Sequence, residues 1–488
     1  MSFSKKQSYF IKIIAVFLLC VGMVCCKQPE IPTPKPTNVE TIDSVGNVDV
    51  WMTNISETYL LKQRNSIDFS DSIGDFSIII DTTKTYQSID GFGAALTGSS
   101  AYLIQQMGES ERAKLLTALF DPQKGIGINY LRLTIGSSDF SIGLYSYCDN
   151  NDINSFAIPL RDKNDLIPVL KQIQTINPSI KIMASPWSAP AWMKSNNSML
   201  GGRLKGSQVY SDFAKYFYLY IKAFEAEGII IDAITLQNEP MYENGGYPTM
   251  KMEWSEQSTI IRDYLGPLFK QNGIDTKIII WDHNFDMAYY PINILNDTET
   301  RKYVAGTGWH GYGGEASAID QVQALHPDKD VYFTEQSGGT WNTDNRIGNM
   351  FYYMKYFLMA SVNRGSKNFI MWNLALNTSH GPTTTTGGCQ TCRGVVTINS
   401  NGTYTRNEEY FLLGHFSKFV RLGAKRIDNN SSILPNGITL SSFINLDGSK
   451  VLAIMNRSGS SKRYNVVCGK RKFVFTHMNE SVVTFKIK

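Results

Sequence analysis

Charge is scarce in this chain. Asp, Glu, Lys and Arg make up only 18% of 488 residues, and 47 basic side chains against 43 acidic ones leave a formal charge of +4. Lys5, Lys6 and Lys12 sit in a leader without acids, so the rest of the chain is close to neutral. A nucleic-acid partner, which is held by released counterions, is therefore not expected. Cysteine is sparse beyond the leader: Cys148, Cys389, Cys392 and Cys468. They give one C-x-x-C and neither a second pair nor a His pair, so no metal or redox cofactor is expected. What is abundant is apolar and aromatic: 42% of residues are hydrophobic and 12% are Phe, Trp or Tyr. That excludes disorder and coiled coil, and the length admits two domains or one large barrel with an appendage.

The apolar run from Ile13 to Cys26 is shorter than the ~20 residues of a spanning helix but suits a secretory signal. It passes into the Pro-rich stretch Lys27 to Pro36. Residues 1–26 resemble a bacterial lipoprotein signal, with Cys26 (or Cys25) lipidated and 27–47 as a semi-rigid tether. An ordinary signal peptide with incidental cysteines is the other reading. The expectation is an exported monomer that touches the membrane through its lipid alone, at the outer surface or in the periplasm.

From 86 to 423, short β-rich apolar runs alternate with longer amphipathic ones, the mark of βα units. Eight strands are expected: 88–95, 128–135, 180–186, 233–239, 277–282, 304–310, 331–335 and 368–376. Helices are expected over 109–120, 165–176, 208–227, 255–272, 316–325, 347–363 and 408–421. Eight repeats predict a closed α/β barrel of the (β/α)8 type, with its site at the C-terminal ends of the strands. The flanks, 48–85 and 424–488, carry short alternating runs and are expected to pair as antiparallel strands of one β-sandwich built from both ends of the chain.

Two of those strand ends carry carboxylates: Glu239 in Gln237-Asn238-Glu239-Pro240, and Glu335 in Thr334-Glu335-Gln336. Paired across a barrel mouth, two carboxylates suit glycoside hydrolysis, one protonating the leaving oxygen while the other attacks or activates water. Trp187, Trp309, Tyr312 and Trp372 also fall at strand ends, where flat rings can stack on a sugar. His310 is a further candidate, read as orienting a neighbour. His415 is read as a core residue. Asp282-His283-Asn284-Phe285-Asp286 has one His for two carboxylates, a thin basis for a metal. Gly91-x-Gly93 followed by Gly98 fits neither a dinucleotide fingerprint nor a P-loop.

Seven motifs together resemble glycoside hydrolase family 30. They are Asp90 to Thr97, Leu131 to Ser141, Ala184 to Trp187, Gln237 to Pro240, Thr334-Glu335, Trp372 to Asn377 and Gly414 to Phe419. The resemblance implies a (β/α)8 barrel with a side β-sandwich and a retaining mechanism without cofactor, with Glu239 as acid/base and Glu335 as nucleophile. It also implies that Asp139, Trp187, Asn238, Tyr312, Trp372 and Asn373 hold the sugar. The Gly387 to Gly394 loop resembles the β-1,6-glucanase branch rather than the glucosylceramidase branch, so β-1,6-glucan attacked within the chain is the expected substrate. An exo-acting glucosidase, glucosylceramidase or xylosidase and a non-catalytic glycan-binding protein are the rivals. A disulfide between Cys389 and Cys392 is expected to pin that loop, as befits an exported protein.

Overall fold

The computed structural model describes residues 46–341, 347–384 and 388–488. The leader with Cys26, and the tether up to residue 45, lie outside the described residues. Eight parallel strands close into a barrel: Gly91–Ala95, Tyr130–Thr134, Lys181–Ser185, Ala233–Thr235, Lys277–Asn284, Val304–His310, Asp330–Glu335 and Ser366–Met371. Every one lies on an expected strand. Two end early: the fourth stops at Thr235, four residues ahead of a left-handed Glu239, and the eighth stops at Met371, ahead of a left-handed Asn373. Ala375–Asn377 pairs instead with Val396–Ile398, outside the barrel.

Parity along the strands sets the interior. Tyr130, Met183, Ala233, Ile279, Tyr332 and Ile370 meet in one buried cluster that plugs the barrel. Two residues further along the second, third and fourth strands stand Arg132, Ser185 and Thr235, so the layer above the plug is polar. Asp282 joins this layer through an irregularity. Trp281 and Asp282 both have left-handed backbones (φ 74° and 65°) and the pairing register slips beside them. Trp281 thereby packs outward on Tyr290, and the carboxylate turns in. The second glycine of Gly91-Phe92-Gly93, in the first barrel strand, is explained by packing: a Cβ on Gly93 would meet the Tyr130 carbonyl oxygen at 1.8 Å.

The helices fall where the apolar periodicity placed them, with three additions: Gly98–Gln106, Tyr289–Asn296 and Thr298–Arg301. The first begins Gly-Ser-Ser and shows little periodicity, but Thr97 caps it by accepting from Ser100 N. Three helices contain a wide turn: Asp162–Leu166 and Ile261–Leu265, each just before a proline (Pro168, Pro267) whose missing N–H breaks the regular ladder, and Met354–Met359, which has no proline beside it.

Nine strands from both flanks form one hydrogen-bonded sheet. Val48–Asn54 lies beside Ser481–Ile487, so strands from the two flanks are neighbours. The sheet folds over itself: Phe473 and Phe475 of its edge strand pack on Phe485, each at 5.1 Å. One pair departs from the expected antiparallel pattern, since Phe76–Ser88 runs parallel to Lys462–Cys468. The helix Glu408–Ser417 is buried along its whole length between barrel and sandwich. Phe416 touches Phe92 of the barrel and Phe443 of the sandwich. His415 bridges Thr53 and Thr484 at 2.8 Å each, the core role read for it. Among the described residues no helix is long and apolar enough to cross a membrane.

Candidate active site

Arg132, wholly buried on the second barrel strand, organises the mouth. Its guanidinium pairs with Glu335 Oε2, and it donates to Asp282 Oδ2 and Asn238 Oδ1 at 2.8 Å each. A fork with five donors suits three acceptors on three strand ends. The Trp187 ring covers it at 4.7 Å, keeping water off the pairs. Burial alone would raise Asp282, but Arg132 and His310 hold it far below the usual carboxylate range. Ser185 (3.1 Å) and Thr235 (2.6 Å) donate to the same carboxylate.

His310 stands between two acids, with Nε2 3.0 Å from Asp282 Oδ1 and Nδ1 3.0 Å from Glu239 Oε1. Burial opposes its charge, but Glu335, Asp282 and Glu239 outweigh it and raise the imidazole to about 9. Its charge is felt by both glutamates. Burial would raise Glu239, yet the bond to His310 holds it below its ordinary value. Burial pushes Glu335 up, with the charge of Glu239 adding to it and His310 and Arg132 opposing. Glu239 has φ 49°, and its N–H donates to the Asp282 carbonyl at 3.0 Å. A left-handed glutamate is backbone strain held where chemistry needs it.

Glu335 accepts from Tyr312 Oη at 3.0 Å on its second oxygen. One oxygen from each glutamate and a ring nitrogen of His310 lie within 4.8 Å of one another. Such spacing would suit a cation, but both ring nitrogens of His310 are already spent on hydrogen bonds, to Glu239 and Asp282. The two carboxylates therefore face each other as an acid and a nucleophile would.

Above them opens a cleft of about 500 Å3. Asp139, Trp187, Asn238, Glu239, Tyr312, Glu335 and Trp372 all line it, so seven expected site residues come together. Trp187 and Trp372 stack at 4.8 Å. Burial first, then the charges of Glu335 and Glu239, push Asp139 up to about 8, so at neutral pH it is a hydrogen-bond donor. Three polar atoms on cleft-lining residues have no hydrogen-bond partner among the described residues: Asp139 Oδ1, His283 Nδ1 and Gln336 Oε1. Buried polar groups left open along a cleft suit a ligand rich in hydroxyls.

Two expected residues lie elsewhere. Trp309 is fully buried, stacked on Phe285 at 5.6 Å with Nε1 donating to Thr307. It faces outward because His310, its neighbour, faces in. Asn373 does not line the cleft; it is buried, accepts from Thr97 Oγ1 at 3.0 Å, and turns the chain at φ 67°. His310 orients Glu239, as read. The Asp282 to Asp286 group does not converge on one point: Asp282 faces Arg132 and His310, and Asn284 accepts from Tyr312 N. Sequence reasoning missed Arg132 and Asp282 as site residues. The signal was a charge inside an apolar strand, which burial allows only when paired.

Cys389 and Cys392 form the expected disulfide at the rim of this cleft. A groove of about 400 Å3 at the opposite end of the barrel is lined by Lys181, Asp232, Lys277 and Asp90, whose charges pair among themselves. It offers no comparable acid-base pair.

Residues 89–420 match the glycosyl hydrolase family 30 TIM-barrel domain, and 423–485 match that family's beta sandwich domain. The endo-1,6-beta-D-glucanase neg1 of Aspergillus fumigatus is 34% identical over 414 residues, 79% of this chain and 82% of the relative. The mouse (Mus musculus) lysosomal acid glucosylceramidase is 29% identical over 396 residues, 77% and 76%. Among solved structures, the endo-beta1,6-glucanase BT3312 superposes with a TM-score of 0.86 at 37% identity, over 91% of this chain and 99% of that one.

Proposed function

The chain belongs to glycosyl hydrolase family 30, and from that premise we propose that it is a retaining hydrolase cutting β-1,6-glucan within the chain. Glu335 is the nucleophile and Glu239 the acid/base. The observation that carries the mechanism is the facing pair of carboxylates, with oxygens inside 4.8 Å. Retaining enzymes hold the two groups ~5–5.5 Å apart, leaving no room for a water between nucleophile and sugar.

In the first step a Glu335 oxygen bonds the anomeric carbon as the glycosidic C–O bond breaks, and Glu239 gives its proton to the leaving oxygen. The Glu239–His310 pair holds that proton in the free site. Arg132 and Tyr312 serve the ionised Glu335. In the second step Glu239 takes a proton from water, whose oxygen displaces Glu335 from the sugar. Two inversions return the β-anomer.

The β-1,6 linkage is supported by the named activities of the glucanase relatives and by the disulfide-pinned rim loop. A lipid-linked glucoside is the second reading, favoured by the glucosylceramidase relative. The test is to incubate purified protein with β-1,6-glucan, β-1,3-glucan, xylan and glucosylceramide, following products over time and the anomer by proton NMR. Early β-anomeric oligosaccharides from β-1,6-glucan are expected. Faster release from another substrate, or glucose as the sole early product, overturns the endo-β-1,6 reading; an initial α-anomer overturns retention. The assignment of roles is checked by Glu335→Gln, which should lose several orders of magnitude in kcat.

The leader motif supports a further part of the reading: an exported protein, lipid-anchored through Cys26 at the bacterial envelope; that it is a monomer is part of the same proposal. Full-length protein should partition with membranes and run as one chain in sedimentation, and Cys26→Ser combined with Cys25→Ser should release it. Soluble wild-type protein would overturn the anchor.

A further inference from the structure

Trp341 stands on the rim of the cleft with 51% of its surface exposed. Leaving an indole half in water forgoes apolar burial, and the local sequence is built to keep it there. The outer edge of its six-membered ring lies where a side chain of Gly339 would start: a Cβ on that glycine would fall 1.8 Å from the ring. Gly338 is confined as tightly, since its Cβ would meet Glu409 Oε1 at 1.8 Å. Only glycines at both positions leave room for the ring and for the chain beneath it.

This seat is fastened to the rest of the rim. Gly338 and Gly339 pair antiparallel with Arg393 and Cys392, and Thr340 N donates to the Thr391 carbonyl at 3.0 Å. The partner segment is closed by the Cys389–Cys392 disulfide. Arg393 then anchors it to Glu408 and Glu409 of the fully buried helix behind. A ring that is exposed yet held by paired backbone, a disulfide and a buried ion cluster is placed for contact with a ligand. The chemistry of the cleft says which kind. The cleft that Trp341 shares is also lined by Glu239, Glu335 and Tyr312, groups that suit hydroxyls, and an indole offers a flat apolar surface to the C–H face of a sugar.

We propose that Trp341 carries a second sugar subsite, stacking a pyranose unit of the same chain next to the unit held by Trp187, Trp372 and Asp139. The proposal rests on the glycan-hydrolase reading above and adds how the enzyme tells a chain from a single sugar.

The test separates the two. Calorimetry would follow mono-, di-, tri- and tetrasaccharides of the β-1,6-glucan, β-1,3-glucan and β-1,4-xylan series binding to Glu335→Gln protein, alone and combined with Trp341→Ala or Trp341→Phe. The expected result is a gain in affinity with length in the β-1,6 series. Trp341→Ala should cut that gain by 10- to 50-fold, and Trp341→Phe should restore most of it, with thermal midpoints alike across the three. If another series binds instead, the β-1,6 reading falls, and the subsite stands or falls on that series. If length-dependent affinity survives Trp341→Ala, or Trp341→Phe restores none of it, the subsite is overturned. If no series binds, both are.

Discussion

His310 Nδ1 lies 3.0 Å from Glu239 Oε1, and the other nitrogen of the ring is spent on Asp282. The imidazolium thus holds Glu239 down and also opposes the upward shift of Glu335. Replacing it by asparagine removes the charge and leaves Glu239 to hold alone the proton that the pair keeps up to about 9. Catalysis needs that proton on the pair and Glu335 ionised, so the alkaline limb follows the pair and the acid limb Glu335. His310→Asn should therefore move the alkaline limb of the kcat/KM profile to lower pH and the acid limb, as Glu335 loses the opposing charge, to higher pH. Limbs that stay in place would disconnect His310 from the pair.

Asp139 poses the opposite trade. Its folded value, raised to about 8 against 3.8 for the free group, means that its contribution to stability is fully present below 3.8 and is lost as pH rises towards 8. Asp139→Asn removes that loss. Denaturant midpoints of the variant should match wild type near pH 4 and exceed it at pH 8, while activity on glucan falls at both.

Arg132→Gln leaves Asp282 and Glu335 buried without their counter-charge. Breaking a buried pair on one side costs about 3–5 kcal/mol, and both acids lose the same partner here. Chemical denaturation should show a loss of at least that order. The acid limb of the remaining activity should shift upward as Glu335 loses Arg132.

Cys389→Ser with Cys392→Ser opens a ring of only four residues, for which chain entropy predicts about 2 kcal/mol or less. The segment keeps its Arg393 anchor to Glu408 and Glu409. KM for polymeric glucan should rise several-fold with little change in thermal midpoint. A large drop in midpoint with unchanged KM would make the disulfide a fold element rather than a rim element.

Most of the barrel was legible because buried parallel strands read as aliphatic runs. The helix at Gly98 was not, since its start is Gly-Ser-Ser and its cap is a single threonine. The two glutamates were legible from their strand ends. Trp309 was misread because proximity to a strand end says nothing about parity; His310 beside it already claimed the inward face. Arg132 and Asp282 escaped for a related reason. Each is one charge in an apolar run, its partner 150 residues away, and the turn that aims Asp282 inward comes from two left-handed residues no local pattern marks.

The pairing of Val48–Asn54 with Ser481–Ile487 has a consequence for biosynthesis. A ribosome adding ~5–20 residues per second takes on the order of 20–90 s to reach the last strand after making the first. For that interval the early strand has its hairpin partner Lys62–Ile67 on one side and a bare row of amide and carbonyl groups on the other, the kind of edge that recruits stray strands. The sandwich can be completed only when the final segment arrives, so a nascent chain stalled shortly before Ser481 should be a sticky species and a natural client for chaperones.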